Sequence, residues 1–182
     1  MRRIEGYVIV SADGMIADAK GEMPDSIRNS ADQHYFQNGL DRAAAIVHGR
    51  HSHEGGPRAA RRKRLVVSRQ IATIAPNPDY PNALSWNPLG ASLDEALAKL
   101  GVSDGTVAII GGRDVFSQFL PLYDAFHLSR ASKAKIPNGL SVFTEAGPNA
   151  TPEDVLARHG LRPGPHRDLD PEAGVSVVTW QR

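Results

Sequence analysis

Short apolar runs alternate along the chain with stretches of helical spacing, the pattern of strands and helices built into one mixed α/β sheet. The runs that predict strands are Ile4–Val10, Ala43–His48, Arg64–Val67, Thr106–Ile110, Ala125–Ala131 and Val175–Trp180. Several are nearly continuous apolar blocks, as expected of strands covered on both faces. Three helices have readable starts. Ser30-Ala31-Asp32-Gln33 reads as a capping box ahead of Tyr35, Phe36 and Leu40, and Ser92-Leu93-Asp94-Glu95 as a second, its helix running to Leu100 and stopping at Gly101. The third follows Gly111-Gly112, carries Val115, Phe116, Phe119 and Leu120 on one stripe, and ends at Pro121. Residues 75–88 hold four prolines and predict a loop with a short strand near Leu84–Trp86. The segment 146–171 is rich in Gly and Pro, with a short helix predicted from Thr151 and Pro152 at its first position.

Length changes the picture little: 182 residues without a composition break predict a single domain over 1–182. Hydrophobic content of 41% and charged content of 23% argue against disorder. There are no cysteines, so disulfides, thiolate metal sites and cysteine nucleophiles are excluded. No run approaches the ~20 apolar residues of a membrane span. The apolar stretch after Met1-Arg2-Arg3 is broken by Glu5, Ser11 and Asp13, so no secretory leader is read and a cytoplasmic location is expected. A net charge of +1 offers no global field for nucleic acid or membrane. Locally, Arg58, Arg61, Arg62, Lys63, Arg64 and Arg69 fall within twelve residues. That run reads as a solvated basic face or as an anion site. A nucleic-acid binder using Arg58–Arg69 is the sharper alternative, weakened by the lack of interleaved aromatics.

Four places can carry chemistry. Ile110-Gly111-Gly112 is a strand entering two glycines and a helix, where a ligand can approach the backbone and meet free N–H groups. It lacks the spacing of the dinucleotide fingerprint. His48-Gly49-Arg50-His51-Ser52 also ends a strand; Arg50 can fork onto a phosphate and Ser52 can bind another. A metal reading competes there, because His48, His51, His53 and Glu54 are crowded, yet no distant further ligand is suggested and no metal is expected. Val67-Ser68-Arg69 pairs a hydroxyl with a guanidinium at a strand end, a combination that suits a ribose 2′-phosphate or simply solvent. Asp32, in the first turn of its helix, is explained locally by the helix dipole.

The order of these pieces resembles the dihydrofolate reductase superfamily, which includes the reductase domain of riboflavin biosynthesis. The motifs are Ser11-Ala12-Asp13-Gly14-Met15-Ile16-Ala17, Met23-Pro24, the helix with Asp32, Ile46–Glu54, Arg64–Arg69, Ile109–Leu120 and Phe126-His127-Leu128-Ser129. They cover about residues 4–143, and the last strand fits the tail. The resemblance implies a mostly parallel central sheet flanked by helices, closed by a C-terminal antiparallel strand. It also implies an oxidoreductase with NADPH across the carboxyl ends of the strands. Ile9, Ile16, Ala17 and Phe116 would line the nicotinamide. Gly49, Arg50, His51 and Ser52 would hold cofactor phosphates, and Val67, Ser68 and Arg69 the adenosine side. Gly111 and Gly112 match the family's cis-linked glycine pair, with Arg113, Asp114 and Val115 beside them. Asp32 and Ser129 would be the catalytic carboxylate and its hydroxyl partner. Tyr7, Val8, Tyr35, Phe36, Arg62 and Ile110 would line the substrate, a pterin or a riboflavin-pathway amino-pyrimidinone. Burial against Tyr35, Phe36 and Ile110 would raise the pKa of Asp32. A homodimer is allowed for, and a non-catalytic nucleotide-binding module of the same fold is the second alternative. Three positions depart from the family: Asp25 stands where folate enzymes carry Trp, Met15 where the riboflavin branch carries Lys, and Arg113-Asp114 replace a third glycine and a basic residue.

Overall fold

The computed structural model describes residues 1–52 and 54–182. Its strands are β1 (Arg2–Ser11), β2 (Met15–Ala17), β3 (Ala45–Gly49), β4 (Arg64–Val67), β5 (Ile74–Pro76), β6 (Ala83–Trp86), β7 (Gly105–Ile109), β8 (Ala125–Ala131), β9 (Leu140–Ser141), β10 (Arg162–Asp170) and β11 (Val175–Gln181). Its helices are α1 (Ser30–Arg42), α2 (Leu93–Lys99), α3 (Arg113–Gln118) and α4 (Pro152–Arg158). Nine strands form one sheet in the order β10-β11-β8-β1-β7-β3-β4-β6-β5, and β2 pairs with β9 apart from it. The centre is parallel: β1 lies between β8 and β7, and β3 between β7 and β4. The expected antiparallel strand, β11, pairs with β8, and β10 adds a second antiparallel strand outside it.

Strand alternation divides the core. Ile4 and Val10 of β1, Val107 and Ile109 of β7, Val47 of β3 and Phe126 of β8 pack on one face against Leu97 of α2, Phe116 of α3 and Leu156 of α4. Tyr7, Ile46 and Ala108 pack on the other face against Leu40 and Phe36 of α1. Gly39 is the point of closest approach there, since a Cβ on it would lie 2.5 Å from the Tyr7 ring.

Three expectations need correction. The cap of α1 is Asn29, not Ser30: the Asn29 side chain accepts from the Asp32 amide, which moves Asp32 into the third helical position. The segment 146–171 is not only loop and helix, because Arg162–Asp170 is the outer strand. Pro163, Gly164 and Pro165 conceal it in the sequence, and the edge tolerates them because one side of its ladder is unpaired. The basic run is also less available than its sequence suggests. Arg58 and Arg62 pair with Asp41, Arg62 also with Glu54, and Arg64 is fully buried in a bidentate pair with Glu54 at 2.6 Å. Burial alone would raise the Glu54 pKa, but the Arg64 hydrogen bonds and charge outweigh it and hold it below the usual range.

Candidate active site

Because β1, β3, β4, β7 and β8 run the same way, their carboxyl ends share one edge, the place where open α/β sheets bind ligands. Asp32 reaches it from α1. Its carboxyl is buried and accepts a hydrogen bond from the Ser129 hydroxyl, which is itself 2% exposed and sits opposite Ile9 in the β1–β8 register. Loss of water raises the Asp32 pKa and the Ser129 bond opposes that rise, with a net increase. A buried carboxyl with one fixed partner and no cation pairing with it among the described residues is primed to bind a polar, N–H-bearing group.

The expected cofactor residues gather beside it. Gly49 ends β3 and its amide donates to the Gly111 carbonyl at 2.8 Å, so the β3 and β7 turns form one surface. The Gly111–Gly112 peptide is cis, and Gly111 has φ +116°. A Cβ at Gly112 would stand 3.1 Å from the Ser52 hydroxyl, and one at Gly111 3.0 Å from the Phe116 ring, so side chains here would press on Ser52 and Phe116. Arg50 and His51 are exposed beyond β3, Ser68 is buried beyond β4, and Arg69 is exposed. Asp114 lies 3.9 Å from Arg69 and 3.8 Å from Arg113. Val67 is half-buried at the end of β4, and Val115 is buried at the start of α3. Bare backbone flanked by the exposed guanidiniums of Arg50 and Arg69 on two neighbouring strand ends is a donor set that fits a dinucleotide carrying several phosphates. Ile16 and Ala17 lie on β2, whose loop is held by the Ser11 hydroxyl, which accepts from the Met15 amide at 3.0 Å, and by Asp13, which accepts from the Ile136 amide at 3.1 Å.

The substrate expectations fare unevenly. Phe36 and Ile110 lie on the α1 face of the sheet, half-buried around Tyr7. Val8 does not: alternation turns it to the opposite face, into the main core. The Tyr7 ring stacks on His127 at 4.2 Å, and its hydroxyl donates to Glu5, so it forms part of the wall and offers no free hydroxyl. Tyr35 also turns to His127, 2.7 Å away. Arg62 is spent on Gln37, Asp41 and Glu54, along the later turns of α1. Of the crowded histidines, His48 is buried, with one ring nitrogen 2.7 Å from the Gly49 carbonyl and the other 3.1 Å from the Arg64 guanidinium; His53 lies outside the described residues. Among the described residues, no cluster with metal-ligand geometry occurs. A cavity of about 560 Å³ lies elsewhere, on the face of β8, β11 and β10 turned away from Asp32 and lined by Leu128, Arg130, His166, Val178 and Trp180. Sequence reasoning missed the His127–Glu5 pair; the polar Glu5 and His127 inside otherwise apolar strands were the available signal.

A mostly parallel α/β sheet with a buried carboxyl and a bare glycine turn at its carboxyl edge is the arrangement of a dihydrofolate reductase-like fold. The chain belongs to the dihydrofolate reductase family, whose profile matches residues 5–149. Its fold is also that of a diaminohydroxyphosphoribosylaminopyrimidine deaminase/5-amino-6-(5-phosphoribosylamino)uracil reductase from Thermotoga maritima, at TM-score 0.67 and 14% identity over 99% of this chain. The chain spans 56% of that protein's length. A riboflavin biosynthesis protein from Shewanella sp. PV-4 matches at TM-score 0.66 and 17% identity, over 99% of this chain and 98% of its own. No curated protein matches the sequence. Among the described residues, no helix is long and apolar enough to cross a membrane.

Proposed function

We propose that the chain is an NADPH-dependent reductase acting on a flat nitrogen heterocycle, a pterin or an amino-pyrimidinone. The observation that carries this reading is the buried Asp32–Ser129 pair beside the Gly111–Gly112 cradle at one sheet edge. When bound, NADPH would supply the hydride, which adds to the carbon of the ring C=N bond in a pterin or to the ribosyl C1′ of the opened imine in a ribosylamino-pyrimidinone. Arg50, Ser52, Ser68 and Arg69 would hold its phosphates, and Gly111 and Gly112 would let it lie against bare backbone. Asp32 orients the substrate by accepting hydrogen bonds from its amino-pyrimidine edge, with Ser129 fixing the carboxyl. Charge donated along that edge makes the nitrogen of the reduced C=N bond, in the ring of a pterin or exocyclic in the ribosylamino-pyrimidinone, more basic, and a proton from solvent completes the reduction. The small heterocycle is the proposed partner and the cytoplasm the proposed setting, with neither nucleic acid nor a membrane taking part. The internal pairing of Arg58, Arg62 and Arg64 supports leaving nucleic acid out.

The test is consumption of NADPH with dihydrofolate and with a 5-amino-6-ribosylaminouracil phosphate, followed by loss of reduced-nicotinamide absorbance. Turnover on either substrate that disappears in Asp32→Asn supports the reading and selects its branch. NADPH binding without turnover on either would replace it with a nucleotide-binding module.

A further inference from the structure

A second connection between α1 and the sheet stands behind Asp32. Tyr35 follows Asp32 by three residues and so shares its helix face, while His127 precedes Ser129 by two and shares its strand face. The Tyr35 hydroxyl lies 2.7 Å from His127 Nδ1, and the Thr179 hydroxyl of β11 lies 3.2 Å from the same nitrogen. On the far side of the ring, Nε2 lies 3.3 Å from Glu5, and Tyr7 stacks over the imidazole at 4.2 Å and 7°. The imidazole is therefore held at both nitrogens and on its face. The remaining charged groups nearby are Arg3, 3.1 Å from Glu5, and Arg167, 5.8 Å over the Tyr35 ring. Arg42 adds a weaker influence at Tyr7.

The apolar attachment of α1 is one-sided. Its apolar contacts begin at Tyr35 and Phe36 and are fully buried only at Gly39 and Leu40, so the first turn, which carries Asp32, depends on polar links. We infer that Tyr35 and His127 are positioning residues: their hydrogen bond, braced by Glu5, forms a second rung beside Asp32–Ser129 and sets the depth at which the carboxyl is buried. One rung alone lets a helix pivot; two on the same pair of elements do not. This inference rests on the reductase reading for its catalytic consequence, and on geometry alone for the burial of Asp32.

The experiment follows the Asp32 carboxyl by carbon-detected NMR through a pH titration of the intact protein, in wild type, Tyr35→Phe and His127→Phe. Tyr35→Phe removes one hydroxyl from a half-buried ring, so the fold is kept, and circular dichroism checks both variants. The expected result is an Asp32 pKa lower in both, by about half a unit or more, as water reaches the carboxyl. In a turnover assay the same variants should lose about tenfold or more in kcat, the scale of a small misplacement, with KM for NADPH unchanged. An unchanged Asp32 titration in both folded variants overturns the inference. The titration needs no turnover, so a chain that reduces neither heterocycle would sink the reductase reading and leave the rung still measurable. Turnover with an unmoved titration would do the reverse.

Discussion

At the scale of single residues, Asp32 combines a local position and a distant partner. Its place in the first turn of a helix was legible in the sequence, although the cap was misassigned by one residue. Its burial and its Ser129 bond, with partners 97 positions apart in sequence, come only from the packing of α1 on β8. Asp32→Asn is expected to lower kcat about 100-fold or more with NADPH affinity unchanged, as for loss of one positioned charged group at the reacting edge, checked by steady-state kinetics and a cofactor titration. The same change carries a stability signature. A carboxyl whose folded pKa is raised adds stability in acid and loses it as pH rises through that pKa. The Asn variant should therefore melt higher than wild type at neutral pH, with the gain vanishing below about pH 4. Glu5 has the opposite sign. The His127 hydrogen bond, first among its causes, draws its pKa down to about 2, against burial. Its contribution is present above the unfolded value and is lost as pH falls from about 4.5 towards 2. Urea unfolding of Glu5→Gln should show a shallower loss of stability across that window than wild type.

At the scale of elements, two central, mostly buried strands were read to the residue, because their apolar residues recur on both faces. Arg64–Val67 and Ala125–Ala131 match the expected bounds. The edge strands were not legible: β5 is three residues long and half-exposed, and β10 is nearly all exposed and contains two prolines. Helix α1 lies close to the sheet because Gly39 has no side chain. Gly39→Ala should cost stability by pressing a methyl into the Tyr7 ring and should also impair the site, since the helix carries Asp32. Thermal melting and kcat together check this; a variant that kept both would show that the helix can shift without consequence. The Arg64–Glu54 pair beside β4 is buried on both sides. Arg64→Ala is expected to cost about 3–5 kcal/mol in urea unfolding, because it strands a buried carboxylate.

At the scale of the whole molecule, three neighbouring strand ends bring Arg50, Ser68 and Gly111 to one edge from positions far apart in the chain. Arg69→Ala should reduce the preference for NADPH over NADH by about tenfold, the loss of roughly 1.4 kcal/mol of charge-assisted contact, measured as a ratio of kcat/KM values. Saturating NADPH at about 100 times Kd should stabilise the protein by about 2.7 kcal/mol, a rise in Tm that phosphate alone would not reproduce. The alternation of elements, the lack of thiols and the collinear motifs that mark the family could all be read along the chain before any folding was known. These follow from local periodicity and residue type, which need no partner to be read. The tertiary structure alone decided which cations stay available, which face Val8 and Tyr7 present, and how Tyr35 and His127 meet behind Asp32. Each of those depends on register and helix placement, and a hydrogen bond or ion pair exists only once both partners have been brought within about 3 Å.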